Sequence, residues 1–200
     1  MSHHSIAHES LTRLDTPEPA VTIDEGRAYL RLRHKRDDPI IQLGLAAAIE
    51  DHEAQTGRQL MAATFRLDLD VFPAVIRLRK PPLISVTKLE YLNTGGTLTP
   101  LVVETDFVVD AGSPDDVARI TPAYGKWWPT TRRQVNAVQV TYSCGFGTDP
   151  EKIPAVDRLR VLAVMESLFT NSSGMTNARS PVTLKMVLQQ LAWQRRVIRT

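Results

Sequence analysis

Histidines, one cysteine and paired carboxylates are the groups in this chain that could do acid–base, nucleophilic or metal chemistry. The histidines are His3, His4, His8, His34 and His52, and none stands in an HExxH or HxH ligand spacing. His3, His4 and His8 sit in a polar lead, MSHHSIAHES, which reads as a loose histidine-bearing tail. Cys144 lies in YSCGFG at the end of a strand pattern. A cysteine nucleophile needs a base beside it. Its candidates, His34 and His52, belong to helical segments far away in sequence, so Cys144 reads as a small buried residue. GxSxG is absent. Asp115-Asp116 follows Pro114 in a turn-like loop. Gly95-Gly96 lacks the lysine and following helix of a phosphate loop. No catalytic, cofactor or metal constellation assembles, and the expectation is that the chain is not an enzyme. Trp127-Trp128 beside Lys126, Arg132 and Arg133 is the remaining candidate. Adjacent tryptophans near cations could stack on bases. A stacking platform wants aromatics spaced along strands, and only 6% of the chain is aromatic. The better reading is an anchor under a loop or at a subunit contact.

The elements that must position these residues are legible from periodicity. Asp37 to Gly57, DDPIIQLGLAAAIEDHEAQTG, is the strongest helix. Asp38 can cap it, Pro39 suits its first turn and Gly57 its left-handed end. Ile41, Leu45, Ala48 and His52 form its stripe, with Ile40, Gly44, Ala47 and Ala48 broadening the apolar face. Its charged end, Glu50, Asp51 and Glu53, reads as solvated. Thr22 to Glu25 is a capping box opening a short helix over about residues 23–32. Between the two, Arg31, Arg33, His34, Lys35 and Arg36 meet Asp37 and Asp38. That stretch reads as a salt-bridged connection, with a phosphate contact as the alternative. Residues 1 to about 21 read as an irregular lead-in.

After Gly57 the period changes from 3.6 to 2. Strands are expected at 64–72, 75–78, 85–92, 97–102, 107–109, 118–121 and 137–143, with a hairpin turn at Asn93 to Gly96. A largely buried helix follows over Pro154 to Phe169. Asn171 to Gly174 stops it, a polar hinge spans 177–180, and a last helix runs from Pro181 to about Val197. The fold expected is α+β. An α-helical bundle (22–58 and 150–174) is interrupted by a β-rich insertion (59–149), with a lead-in (1–21) and a C-terminal helical arm (175–200).

The 200 residues suit one large domain or one domain with an arm, and 42% apolar residues are enough for a core. The net charge is +2, but its distribution is uneven. After Glu166 there is no acid, while Arg179, Lys185, Arg195, Arg196 and Arg199 are all basic. A single cysteine excludes an intrachain disulfide. No apolar run is long enough to span a membrane. A terminal helix with the stripe Leu184, Val187, Leu188 and Leu191 gains on the order of several kcal/mol by burying Leu184, Leu188, Leu191 and Trp193. Beyond a hinge, it should seek a neighbour.

The order of these features resembles the head–tail connector proteins (adaptor, or head-completion) of long-tailed bacteriophages. The residues that carry the resemblance run from TIDEGRAYLRL through DDPIIQLGLAAAIEDHEAQTGRQL to IRLRKPPLISVTKLEYLNTGGTL. TDFVVD, RITPAYGKWWP, VQVTYSCGFG and IPAVDRLRVLAVMESLF follow, so roughly residues 20–170 are covered. The chain departs from the family at Arg79-Lys80, where an apolar-Pro pair is common, and at NSSG, where the third helix usually continues in charge. The resemblance implies a virion protein of the neck, assembled in the host cytoplasm, with neither catalysis nor cofactor. It implies a homo-oligomeric ring, commonly of twelve, that docks on the portal protein and carries a stopper or tail-completion protein. Genomic DNA would pass non-specifically through its lumen. It also implies that the C-terminal segment grips the portal. Here that would be Leu184, Leu188, Leu191, Trp193, Arg195, Arg196, Ile198 and Arg199. Lys126, Trp127, Trp128, Arg132 and Arg133 are the candidate subunit or channel contacts. Two rivals remain: a DNA-binding module, and another neck protein such as a stopper or tail terminator, which are usually smaller and mainly β.

Overall fold

The computed structural model describes residues 9–172. The histidine-bearing lead and the C-terminal arm residues named above lie outside the described residues. The described chain is α+β, with three helices flanking and following antiparallel sheets. It divides into two compact units, one built from residues up to 17 and 62–145, the other from 18–61 and from 146 onward.

The first unit is the β unit. Its strands are β1 (Glu9–Arg13), β2 (Ala63–Leu69), β3 (Ile76–Leu78), β4 (Leu83–Leu92), β5 (Leu98–Leu101), β6 (Phe107–Asp110), β7 (Ala118–Pro122) and β8 (Val138–Cys144). They form a five-stranded sheet, β1-β2-β8-β4-β5, and a three-stranded sheet, β3-β7-β6. All pairings are antiparallel. The alternation expected in β2 is what sets its register. Phe65 faces Tyr142 and Leu67 faces Val140, so one face of both strands is apolar and buried. Ile76, Leu78, Phe107 and Ile120 add the second sheet to the same core.

β1 corrects the expectation of an irregular lead-in. ESLTR carries one large apolar residue, Leu11, too little for a periodic signal. It is held instead by long-range partners. Its five residues pair with β2 from Glu9↔Leu69 to Arg13↔Phe65. Arg79 Nε lies 2.7 Å from Glu9. Just beyond the strand, the Thr64 N–H donates to Asp15 at 2.9 Å.

The second unit is helical: α1 (Ile23–Tyr29), α2 (Asp38–Thr56), a short 3₁₀ turn, and α3 (Ala155–Ser172). The capping box at Thr22 and Glu25 forms as expected. The stripe expected on α2 is the buried one: Ile41, Leu45, Ala48 and His52. Gly57 takes the left-handed cap at φ 72°. At the other end the N-cap is Asp37, not Asp38. Its side chain makes no capping bond, and Asp38 instead pairs with Arg27 of α1 at 2.7 Å.

Three further expectations are corrected in this unit. Ile40 and Ala47 are exposed, because the buried face of α2 is narrower than the run of apolar residues. Glu53 is not solvated. It is buried, and its Oε1 accepts from Gln59 Nε2 at 2.7 Å and from the Leu60 N–H at 3.2 Å. It thereby satisfies the chain where it leaves the helix. Helix α3 is not apolar all round. Val156, Leu159 and Leu168 are exposed, while Asp157 and Arg160 are buried with Val161 and Met165.

Candidate functional site

The apolar surface best held in place by its surroundings is the loop after β7, Tyr124-Gly125-Lys126-Trp127-Trp128. Gly125 has φ 75°, a left-handed turn that glycine adopts at no steric cost. The turn is closed by the Lys126 N–H donating to the Ala123 carbonyl at 2.9 Å. Asp106, just before β6, ties a second loop to it. Its Oδ1 accepts from Lys126 Nζ at 2.8 Å and its Oδ2 from the Val102 N–H at 2.9 Å. Its backbone carbonyl accepts from the Ala123 N–H at 3.0 Å. These contacts hold the Asp106 carboxyl below the ordinary aspartate range, chiefly through the Lys126 hydrogen bond and then the Val102 N–H.

Trp128 faces inward from this loop. Its ring stacks on Phe72, with centroids 4.6 Å apart and planes 5° from parallel, and Phe72 in turn meets Tyr91 at 5.8 Å. Its indole N–H points at the Ala74 carbonyl, 3.4 Å away. Trp127, one residue earlier, is 92% exposed, and Tyr124 is fully exposed. Val102 and Val103, on the loop that Asp106 fixes, are also exposed. The result is a pinned loop presenting two aromatic side chains to solvent, with aliphatic residues on the loop tied to it. It offers no nucleophile and no acid–base pair. What it can do is fill a pocket on another molecule, since its geometry is fixed before binding.

The sequence-predicted residues separate accordingly. Lys126 is a strut, committed to Asp106. Trp128 is the anchor under the loop, and Trp127 is the free aromatic. Arg132 lies elsewhere, against the β4–β5 turn. Its N–H donates to the Leu92 carbonyl at 2.9 Å, and a Cβ at Gly96 would collide with its guanidinium. Arg133 is exposed. Tyr124 and Asp106 were missed. A pattern of Asp before one strand and Lys after the next gives no local signal, because the pairing depends on the β6–β7 register.

The other polar concentration lies inside the helical unit. His52 Nε2 is 3.5 Å from Asp157 Oδ1, and both residues are buried. Arg160 hydrogen-bonds the Gln55 side chain, and burial lowers its pKa. Arg58 lies over the Phe146 ring, 5.2 Å from its centroid. The His52–Asp157 and Gln55–Arg160 contacts fasten the end of α2 to the start of α3. Cys144 is buried in the β-unit core with Phe65 and Tyr142. Among the described residues no group of His, Cys, Asp and Glu side chains could hold a metal ion. No described helix is long and apolar enough to cross a membrane.

No family model matches the chain, and no curated protein matches it. Solved structures do. A chain in the virion of the native gene transfer agent (GTA) particle matches with a TM-score of 0.76 at 21% identity, over 95% of this chain and 96% of that one. A chain in the neck of the empty GTA particle, computed with C6 symmetry, matches with a TM-score of 0.77 at 21% identity, over 96% and 97%. A chain in the neck of the native GTA particle, computed with C12 symmetry, matches with a TM-score of 0.74 at 20% identity, over 96% and 97%. Across nearly its whole length, therefore, this chain has the fold of a chain found in the GTA neck.

Proposed function

We propose that this chain is a structural subunit of the neck of a phage-like particle. In this reading it is a head–tail adaptor. Copies assemble as a ring, with twelve expected, dock on the portal, extend the DNA channel and carry the stopper or tail. The observation that supports it most is the near full-length likeness to chains of GTA necks computed with C6 and C12 symmetry. The resemblance of residues 20–170 to head–tail connectors points the same way. So does an aromatic loop pinned in place with Trp127 and Tyr124 exposed. The reading requires no catalysis, and the candidate surfaces fit contacts between proteins. Trp127 and Tyr124 serve as an assembly contact. The arm residues Leu184, Leu188, Leu191, Trp193, Arg195, Arg196, Ile198 and Arg199 serve as the portal grip. A stacking DNA-binding module fits less well, because Trp128 is already committed to Phe72.

Electron microscopy of the purified chain with its cognate portal tests this. Rings coaxial with the portal are expected. A truncation after Arg179 should leave the body folded, with a cooperative thermal melt, and lose docking. Undiminished docking of the truncation would remove the arm from the proposal. A chain that never joins the portal but coats DNA would replace the adaptor with the DNA-binding module.

A further inference from the structure

The connection between α1 and α2, residues 31–38, is a dense run of charged residues. Arg31, Arg33, Lys35 and Arg36 bring four permanent positive charges within six residues, and all four are exposed. The nearby carboxylates are engaged by other residues. Asp24 and Asp38 are taken by Arg27 of α1, and Asp37 Oδ2 lies 3.7 Å from His34 Nδ1. Arg31, Arg33, Lys35 and Arg36 make no ion pair among the described residues, so the expected salt-bridged connection is only partly built. Its basic side chains are left over.

Arg31 adds a second, independent observation. It sits just past the end of α1 with φ 58°. The Arg31 N–H donates to Ala28 and the Leu32 N–H to Arg27, at 3.1 and 3.0 Å. That is the helix-ending arrangement whose left-handed position favours glycine. The same chain uses glycine at the equivalent place after α2, at Gly57. At Arg31 it carries a cation in a conformation that costs the backbone something. The loop also lacks an anchor for a protein pocket. Its one apolar residue, Leu32, packs into the helical core, and the loop holds no Phe, Tyr or Trp; its one ring is His34, which lies 3.7 Å from Asp37.

We propose that residues 31–36 contact the phosphate backbone of duplex DNA, without sequence preference. This rests on the neck reading, in which DNA passes through the ring, and it names the residues of each copy that would meet it. Cations on a short loop without Phe, Tyr or Trp give binding dominated by phosphate contacts, weak per copy and steep in salt. Four phosphate contacts correspond to a slope of log affinity against log salt of about −3.6, or about a 150-fold loss between 50 and 200 mM.

The test is fluorescence anisotropy of the full chain with a short labelled duplex across that salt range. The triple variant Arg33→Gln, Lys35→Gln, Arg36→Gln should flatten the slope by about 2.7 while keeping its circular dichroism. Arg31→Gly should match or exceed the parent melting temperature and still bind DNA more weakly, a combination that a structural role for the arginine would not produce. Both differences should persist when Arg195, Arg196 and Arg199 are changed to Gln. An unchanged slope in the triple variant overturns the inference, as does saturation of the loop by poly-glutamate where duplex fails. If that happens while rings still form on the portal, only this inference falls. If the loop binds DNA but the chain never docks, the neck reading falls instead.

Discussion

Replacing Trp128 by alanine removes a ring stacked on Phe72 and should destabilise the β unit by about 3 kcal/mol, read by urea denaturation. Replacing Trp127 should change stability by less than about 0.5 kcal/mol. Under the proposed neck function it should weaken ring assembly about tenfold or more, as loss of an interface anchor does, read by sedimentation or by ring counts in micrographs. Equal stability losses in the two variants would contradict the assignment of Trp127 as the free one. The sequence marked both tryptophans but could not divide them, because which ring turns inward depends on Phe72 and Ala74, more than fifty residues upstream. Glu53 is a similar case. Its position at a charged helix end reads as solvated, and only the return of Gln59 and Leu60 over it shows that it is buried. Glu53→Ala should cost about 3 kcal/mol, because the Gln59 amide and the Leu60 N–H lose a charged acceptor in a buried place.

Between elements, packing decides the effect of small residues. A Cβ on Gly26 of α1 would stand 3.0 Å from Ile41 Cγ2 and 3.2 Å from Leu45 Cδ1. A Cβ on Gly44 of α2 would meet Met165 Cγ at 3.3 Å. Alanine gains up to about 1 kcal/mol over glycine inside a helix. Methionine can give way, whereas a fully buried branched isoleucine cannot. Gly44→Ala should therefore leave stability unchanged or raise it by up to about 1 kcal/mol, and Gly26→Ala should lower it by about 1 kcal/mol. Thermal melts of the two variants check the opposite signs. The Asp106 strut between the two loops should respond to acid. Its carboxyl titrates below the ordinary range in the folded chain. The tie is thus complete at neutral pH, and its contribution is lost as the pH falls through that depressed value. Carboxyl NMR should place the Asp106 midpoint below that of an unfolded-state aspartate, and Lys126→Met should raise it. Helices α1, α2 and α3 and the positions of β2 to β8 along the chain were legible because caps and periods are local. The edge strand β1, the exposed side of α3 and the Asp106 strut were not, since each depends on residues distant in sequence.

For the whole molecule, the broad outline was legible: helices before and after a block of strands. What the outline missed is that the β unit also draws on the start of the chain. Glu9 pairs with Leu69, and Ala63 pairs with Cys144. The helical unit likewise needs α3 to complete the core begun by α1 and α2. The chain therefore passes between its two units three times, near residues 17, 61 and 145. Neither unit is a continuous stretch, so excising residues 62–145 alone would leave β2 without the strand that covers its edge. Such a fragment should aggregate more readily than the full chain, as unpaired edges do. On the ribosome, the same connectivity delays everything. β1 emerges early but waits for β2, β2 waits for β8, and α2 waits for α3. A nascent chain can complete neither core until β8 and then α3 have emerged. Any surface that either core supports is therefore finished only after those last elements have emerged, so the order of synthesis delays both units together.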